Sequence, residues 1–192
     1  MLNMLKNQSE TLTGVSVLRV GVAWKTSGGG RKGLGGMLKR AIGTDLDLAC
    51  IALSGGDPKR ICWFDNLDAF DNGSLLSGGD NRTGKAAGDD ESITARLDEI
   101  PGQIDALVFV VSAFKKGVSF SNVEGITLNV YDAGPGGQLL GSDMPTIRPG
   151  GNACIVARAT RSPGGWEITT INEMGSASSK EQLLQLGQRH AS

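Results

Sequence analysis

Between Gly79 and Glu91 the chain reads Gly-Asp-Asn-Arg-Thr-Gly-Lys-Ala-Ala-Gly-Asp-Asp-Glu. Two acidic clusters, Asp80-Asn81 and Asp89-Asp90-Glu91, stand on this short glycine-punctuated stretch. Carboxylates about 4 Å apart repel by roughly 4 kcal/mol per pair at the effective dielectric of a protein surface. A bound cation relieves such crowding. A donor set made only of oxygens suits a hard ion, and the flexible geometry favours calcium over magnesium. A Ca2+ site is therefore expected here.

Other oxygen donors stand nearby in the sequence. Asp45 and Asp47 lie two apart, so on a strand their side chains share a face at the mouth of the apolar run that follows. Asp65-Asn66 closes the next apolar run. Three such segments meeting at one end of a fold supply ligands for one or two ions. The competing reading is that Asp and Asn cap backbone donors in turns. It weighs most on Asp65-Asn66 and least on residues 89–91, where three adjacent carboxylates exceed what a turn needs.

Two familiar loops are excluded. An EF-hand places its acids at alternate positions ahead of a glycine and a distant glutamate, whereas these acids arrive in two bursts. The spacing from Gly79 to Gly84-Lys85 matches a phosphate-binding P-loop, but Ala86 stands where a hydroxyl is required and Asp80 would repel phosphate. Catalytic constellations are scarce: there is no Gly-x-Ser-x-Gly elbow, and the single histidine, His190, is expected in a solvated tail. A non-enzymatic role is expected, with a metal-dependent hydrolase using the acidic cluster as the alternative.

The elements that must position these residues are strands. Apolar alternation or continuous apolar runs mark residues 15–24, 46–53, 61–64, 92–97, 106–114, 118–121, 126–131, 138–140, 153–160 and 166–171, with turn residues between them. Residues 106–114 are continuously apolar and are expected to be the most buried. Residues 65–79 read as turn-rich. Residues 1–14 read as a flexible N-terminus or a short leading strand, and residues 25–43 as a long glycine-rich basic loop. Ser178-Ser179-Lys180-Glu181 ahead of Leu183, Leu184 and Leu186 predicts a short capped helix, with Gly187 as its stop. The expected architecture is all-β: a sandwich of short antiparallel strands with a C-terminal helix, forming a single domain over residues 1–192.

Charge and cysteine usage narrow the function classes. The formal net charge is −1, so no global field draws in nucleic acid. Cys50, Cys62 and Cys154 form no metal-binding spacing, and in apolar runs they read as buried reduced thiols. Neither a secretory leader nor a membrane-length apolar run is evident, so a cytoplasmic location is expected. Arg31, Lys32, Lys39 and Arg40 make the 25–40 region basic. A solvated loop is the simpler account of it, and calcium-bridged binding to an anionic membrane surface is the alternative.

Several of these motifs together resemble the TerD family of tellurite-resistance and stress-response proteins. The most specific are Gly79-Asp80-Asn81-Arg82-Thr83-Gly84 and Gly88-Asp89-Asp90-Glu91, supported by Val20-Gly21-Val22-Ala23-Trp24, Asp45-Leu46-Asp47, Phe64-Asp65-Asn66-Leu67 and Trp166-Glu167-Ile168. The resemblance implies a cytoplasmic calcium-binding β-sandwich with no demonstrated catalytic centre. It also implies partners among other tellurite-resistance proteins, including an integral membrane member. The implied ligands are drawn from Asp45, Asp47, Asn66, Asp80, Asn81, Asp89, Asp90 and Glu91. Two departures stand out: the basic stretch after Trp24 is longer than the family's link, and Asp65 replaces the usual asparagine.

Overall fold

Short apolar runs separated by glycine-rich turns cannot bury themselves singly, so they pair. The computed structural model describes residues 1–2, 4–26, 45–78, 88–114, 120, 123–145 and 151–191. Among these, the strands are β1 (Ser9–Thr11), β2 (Val17–Thr26), β3 (Asp47–Ser54), β4 (Asp57–Cys62), β5 (Leu75–Ser77) and β6 (Glu91–Arg96). They continue with β7 (Ala106–Ser112), β8 (Val123–Asp132), β9 (Gln138–Asp143), β10 (Ala153–Ser162) and β11 (Gly165–Gly175), before helix α1 (Lys180–Gln188). A six-stranded sheet in the order β1-β11-β10-β7-β3-β4 faces a five-stranded sheet in the order β5-β6-β2-β8-β9. Every ladder is antiparallel, so the expected all-β sandwich is what forms.

The central strands of the six-stranded sheet are buried on both faces. Alternate residues of β7 divide between two clusters: Leu107, Phe109 and Val111 fill the space between the sheets, while Ala106, Val108 and Val110 lie in an outer cluster with Leu183 and Leu186 of α1. That division explains why residues 106–112 are continuously apolar, since a strand covered on both faces has no polar side. Strand β3 divides the same way, with Leu48, Cys50 and Ala52 inward and Ala49, Ile51 and Leu53 outward. Burying Leu183 and Leu186 contributes about 1.5–3 kcal/mol each at ordinary transfer values. Ser179 caps α1 by accepting from the Gln182 backbone N–H at 3.3 Å.

Several boundaries differ from the sequence expectation. Strand β4 runs from Asp57 to Cys62 rather than over 61–64, because an edge strand tolerates the polar run Asp57-Pro58-Lys59-Arg60 that hides it in a pattern search. Strand β5 arises inside the stretch read as turns, held by pairing with β6 rather than by its own sequence. The N-terminal segment is not frayed: β1 pairs with β11, and Met4 and Leu12 are buried. Lys25 and Thr26 continue β2, so the basic loop does not begin at residue 25. The remainder of that loop, through residue 44, lies outside the described residues, as does most of the strand expected at 118–121.

Gly187 is not a stop but a buried residue of α1. A Cβ there would lie 2.5 Å from Ile51 Cδ1 and 3.2 Å from Ile51 Cβ. Glycine at this position lets the helix approach β3 closely.

Candidate metal centre

The three adjacent carboxylates of residues 89–91 point to three different places because the chain bends at residues 88 and 90 before β6 begins; strict alternation would have put Asp89 and Glu91 on one face. Glu91 opens β6 and points into the sandwich, where Oε2 accepts from the Leu48 backbone N–H at 2.5 Å. That bond ties the start of β6 to the start of β3, and so one sheet to the other. Asp90 Oδ2 accepts from the Trp24 N–H at 2.9 Å, while its own N–H donates to the Val22 carbonyl at 2.8 Å. The Asp90 side chain thus takes the place of the next ladder bond where β2 runs on past β6.

Asp47 is the first residue of β3 and Asp45 precedes the strand, so the two do not share a strand face. Both are half-buried. The Glu91–Leu48 bond places Asp47 at the same end of the sandwich as Asp90 and Glu91. Asp80 and Asn81 fall outside the described residues. Gly78 and Gly88, which flank that stretch, both lie beside the start of β6, and the Gly78 N–H donates to the Ser92 carbonyl at 2.8 Å.

Asp89 stands apart. Its side chain is only 2% exposed and lies on the outer face of the five-stranded sheet, over Gly21. A Cβ at residue 21 would come within 2.0 Å of Asp89 Oδ2, so only glycine leaves room for this carboxylate. Arg19 Nη2 donates to Oδ2 at 2.7 Å, and Asn129 Nδ2 and the Tyr131 hydroxyl approach Oδ1 at 2.6 and 3.3 Å. The Arg19 guanidinium also lies over the Tyr131 ring, 4.4 Å from its centroid. Burial, followed by the Asp89 charge, pushes the Tyr131 hydroxyl pKa up. Both Asp89 oxygens are engaged by protein donors, so a metal here would share them with Arg19, Asn129 and Tyr131. Sequence reading passed over Arg19, Asn129 and Tyr131, and quoted Gly21 only as part of a strand motif. The available signal was their shared outward face on adjacent strands, but that requires knowing that β2 pairs with β8.

Asn66 lies in a turn beyond β4, near the strand end that adjoins the start of β3. Its side-chain amide donates to the Ile61 carbonyl at 2.8 Å, and its backbone exchanges hydrogen bonds with Trp63. Only its side-chain oxygen remains as a donor of the kind a hard cation takes. Asp65 is exposed beside it.

The remaining donors fit a hard cation chemically. Asp90 and Glu91 are each 8% exposed. Among the described residues Asp90 is bonded to one backbone N–H and pairs with no lysine or arginine. A buried carboxylate without a compensating charge costs several kcal/mol. Among the described residues, however, no three His, Cys, Asp or Glu side chains converge closely enough to enclose an ion.

The other singled-out groups lie elsewhere. The three cysteines are buried free thiols, with burial pushing Cys62 and Cys154 up to about 12. Burial raises Cys50 as well, with the neighbouring Cys62 adding to it. His190 is not a solvated tail residue. Its side chain is 14% exposed, with Nε2 3.7 Å from Glu173 Oε1, and its carbonyl accepts from Arg158. Burial lowers its pKa, opposed by Glu173 and assisted by Arg158 and Arg189. Among the described residues, no helix is long and apolar enough to cross a membrane.

Stress response protein SCP2 of Bacillus subtilis is 32% identical over 171 residues, covering 83% of each chain. Tellurium resistance protein TerZ of Serratia marcescens is 30% identical over 177 residues, covering 89% of each. A solved structure from Streptomyces coelicolor, described as a homologue of a telluride resistance protein, superposes with a TM-score of 0.68 at 20% identity, over 93% of this chain and 99% of that one. It shares the fold. The TerD domain family model matches residues 1–186. The chain therefore belongs to the TerD family.

Proposed function

We propose that this protein is a calcium-ordered binding or scaffold module of a tellurite-resistance or stress-response system, with no catalytic role of its own. Asp90 carries the reading: a buried carboxylate that, among the described residues, has a single backbone partner and no cation beside it. The proposed ligands are Asp45, Asp47, Asp90 and Glu91, joined by Asp80, Asn81 and the Asn66 side-chain oxygen, with Asp89 as a support that fixes where the 88–91 segment leaves the sheet. Calcium neutralises the carboxylates at this end of the sandwich, and so orders a surface for a partner. The names of the relatives support the physiological setting. Proposed partners are other tellurite-resistance proteins, including an integral membrane member.

Calorimetric titration of the EDTA-treated full chain with calcium, with a thermal melt at each end point, tests this. Saturable binding is expected, with about 4 kcal/mol of added stability at a thousand times the dissociation constant. Asp90→Asn combined with Glu91→Gln is expected to abolish most of that gain. Absence of saturable heat, or an undiminished response in the double variant, sinks the reading.

A further inference from the structure

Away from the sandwich interior, a cleft of about 350 Å3 runs between the edge strand β4 and helix α1. Its walls are Pro58, Ile61 and Leu184, and its polar groups are Lys59, Arg60, Lys180 and Asn66. Three cations line it and, among the described residues, no carboxylate does. Lys59 has a loose partner, with Nζ 3.7 Å from Asp57 Oδ2. Among the described residues, Arg60 and Lys180 pair with no carboxylate. Arg60 Nη1 donates only to the Lys59 carbonyl at 2.9 Å, and Lys180 Nζ lies 5.9 Å from the Trp63 ring centroid.

Lys180 opens α1, where aligned peptide dipoles amount to roughly half a positive charge and a cation is disfavoured. The neighbouring acid compensates only in part, because Glu181 accepts from Ser179 and from its own backbone N–H and the Lys180 charge is the smallest influence on it. Asp65, exposed on the adjoining turn, does not line the cleft. Like charges gathered at the positive end of a helix repel one another unless an anion sits between them. Arginine and lysine together match a phosphoryl group, one as a fork and the other as a point charge.

We propose that this cleft binds a phosphate group, with Arg60 gripping two oxygens and Lys59 and Lys180 neutralising the remaining charge. The group is a phosphate monoester, free or carried on a lipid. This site is separate from the proposed calcium ligands, apart from Asn66 at its rim, and does not depend on that reading.

Titrating the full chain in EDTA with inorganic phosphate at constant ionic strength, followed by backbone amide NMR, tests the proposal. Saturable shifts confined to residues 58–66 and 180–184 are expected. Arg60→Ala with Lys180→Ala should weaken binding about tenfold or more, as loss of charge-assisted bonds does. Lys25→Ala should leave it unchanged. Should the double alanine variant melt early, Lys180→Glu alone serves, since an exposed charge reversal leaves the fold intact while repelling phosphate. Pelleting with phosphatidylcholine vesicles, with and without phosphatidic acid, separates the sources. Binding only to phosphatidic acid vesicles identifies a lipid headgroup, and binding to free phosphate without vesicle pelleting identifies a soluble phosphorylated compound. No saturable response to either probe, or equal affinity in the charge variants, overturns the proposal.

Discussion

The two sheets meet across one core, yet they differ in what lies on their outer faces. The six-stranded sheet carries α1 there, and its central strands are apolar on both sides. Among the described residues no element covers the outer face of the five-stranded sheet, and its alternate positions hold Arg19, Asn129 and Tyr131 around the Asp89 carboxylate. One sheet is fixed by burial and the other, in addition, by a polar cluster around Asp89, in which Arg19 Nε is left without a partner among the described residues. The distinction matters for the acidic run. Asp89 belongs to the outer polar face, while Glu91 belongs to the space between the sheets.

The sharpest test of that contrast is a pair of truncations. Ile51→Ala, beneath α1, is expected to cost about 2–5 kcal/mol. Val17→Ala, half-buried on the open face, is expected to cost less than about 1 kcal/mol. Urea unfolding of both variants measures the difference, and similar costs would break the contrast.

Next in size, Asp89→Ala strips the acceptor from Arg19, Asn129 and Tyr131. The expected loss is about 2 kcal/mol, below the range for fully buried pairs because the Arg19 side chain is 38% exposed and screened by solvent. Calcium should still raise its melting temperature, whereas Asp90→Ala should lose that response. A calcium response abolished in Asp89→Ala and kept in Asp90→Ala would reverse the roles assigned to them.

Gly187→Ala is a smaller and more pointed probe. At an exposed helical site the change gains about 1 kcal/mol of helix propensity. Here the new methyl meets Ile51, so a net loss of about 1 kcal/mol is expected from denaturant melts. A gain in stability would show that α1 sits more loosely on the sheet than its contacts imply.

The smallest effect is a pH dependence at the same helix. The folded state holds His190 below its ordinary pKa of 6.5, so the unfolded chain binds the proton first as pH falls. Its contribution is fully present above that value and is lost as pH falls through the lower folded value. His190→Gln should flatten the decline in melting temperature over that window. An unchanged slope would assign the decline to other groups.

Much of the fold was legible in the residues. Apolar alternation located most strands, and Ser179 ahead of the leucines located α1. The exceptions share a cause. Strands β4 and β5 form because a neighbour supplies the pairing, and β4 hides its polar residues at a sheet edge. Gly187 and His190 were misread because a glycine late in a helix and a histidine near a chain end look local, whereas both are fixed by contacts with distant strands.

The acidic run by itself determined that charge is concentrated in one segment and that oxygen donors dominate it, since both follow from residue type. Which donors remain for a cation was decided only in three dimensions. The bends ahead of β6 send Asp89 and Glu91 to opposite faces, which strict alternation would not, and the partners waiting there come from other strands. Arg19 and Asn129 claim Asp89, Trp24 holds Asp90, and Leu48 draws Glu91 inward. A one-dimensional pattern fixes the supply of charge, but the neutralisation of each charge depends on strands brought together from up to 70 residues away.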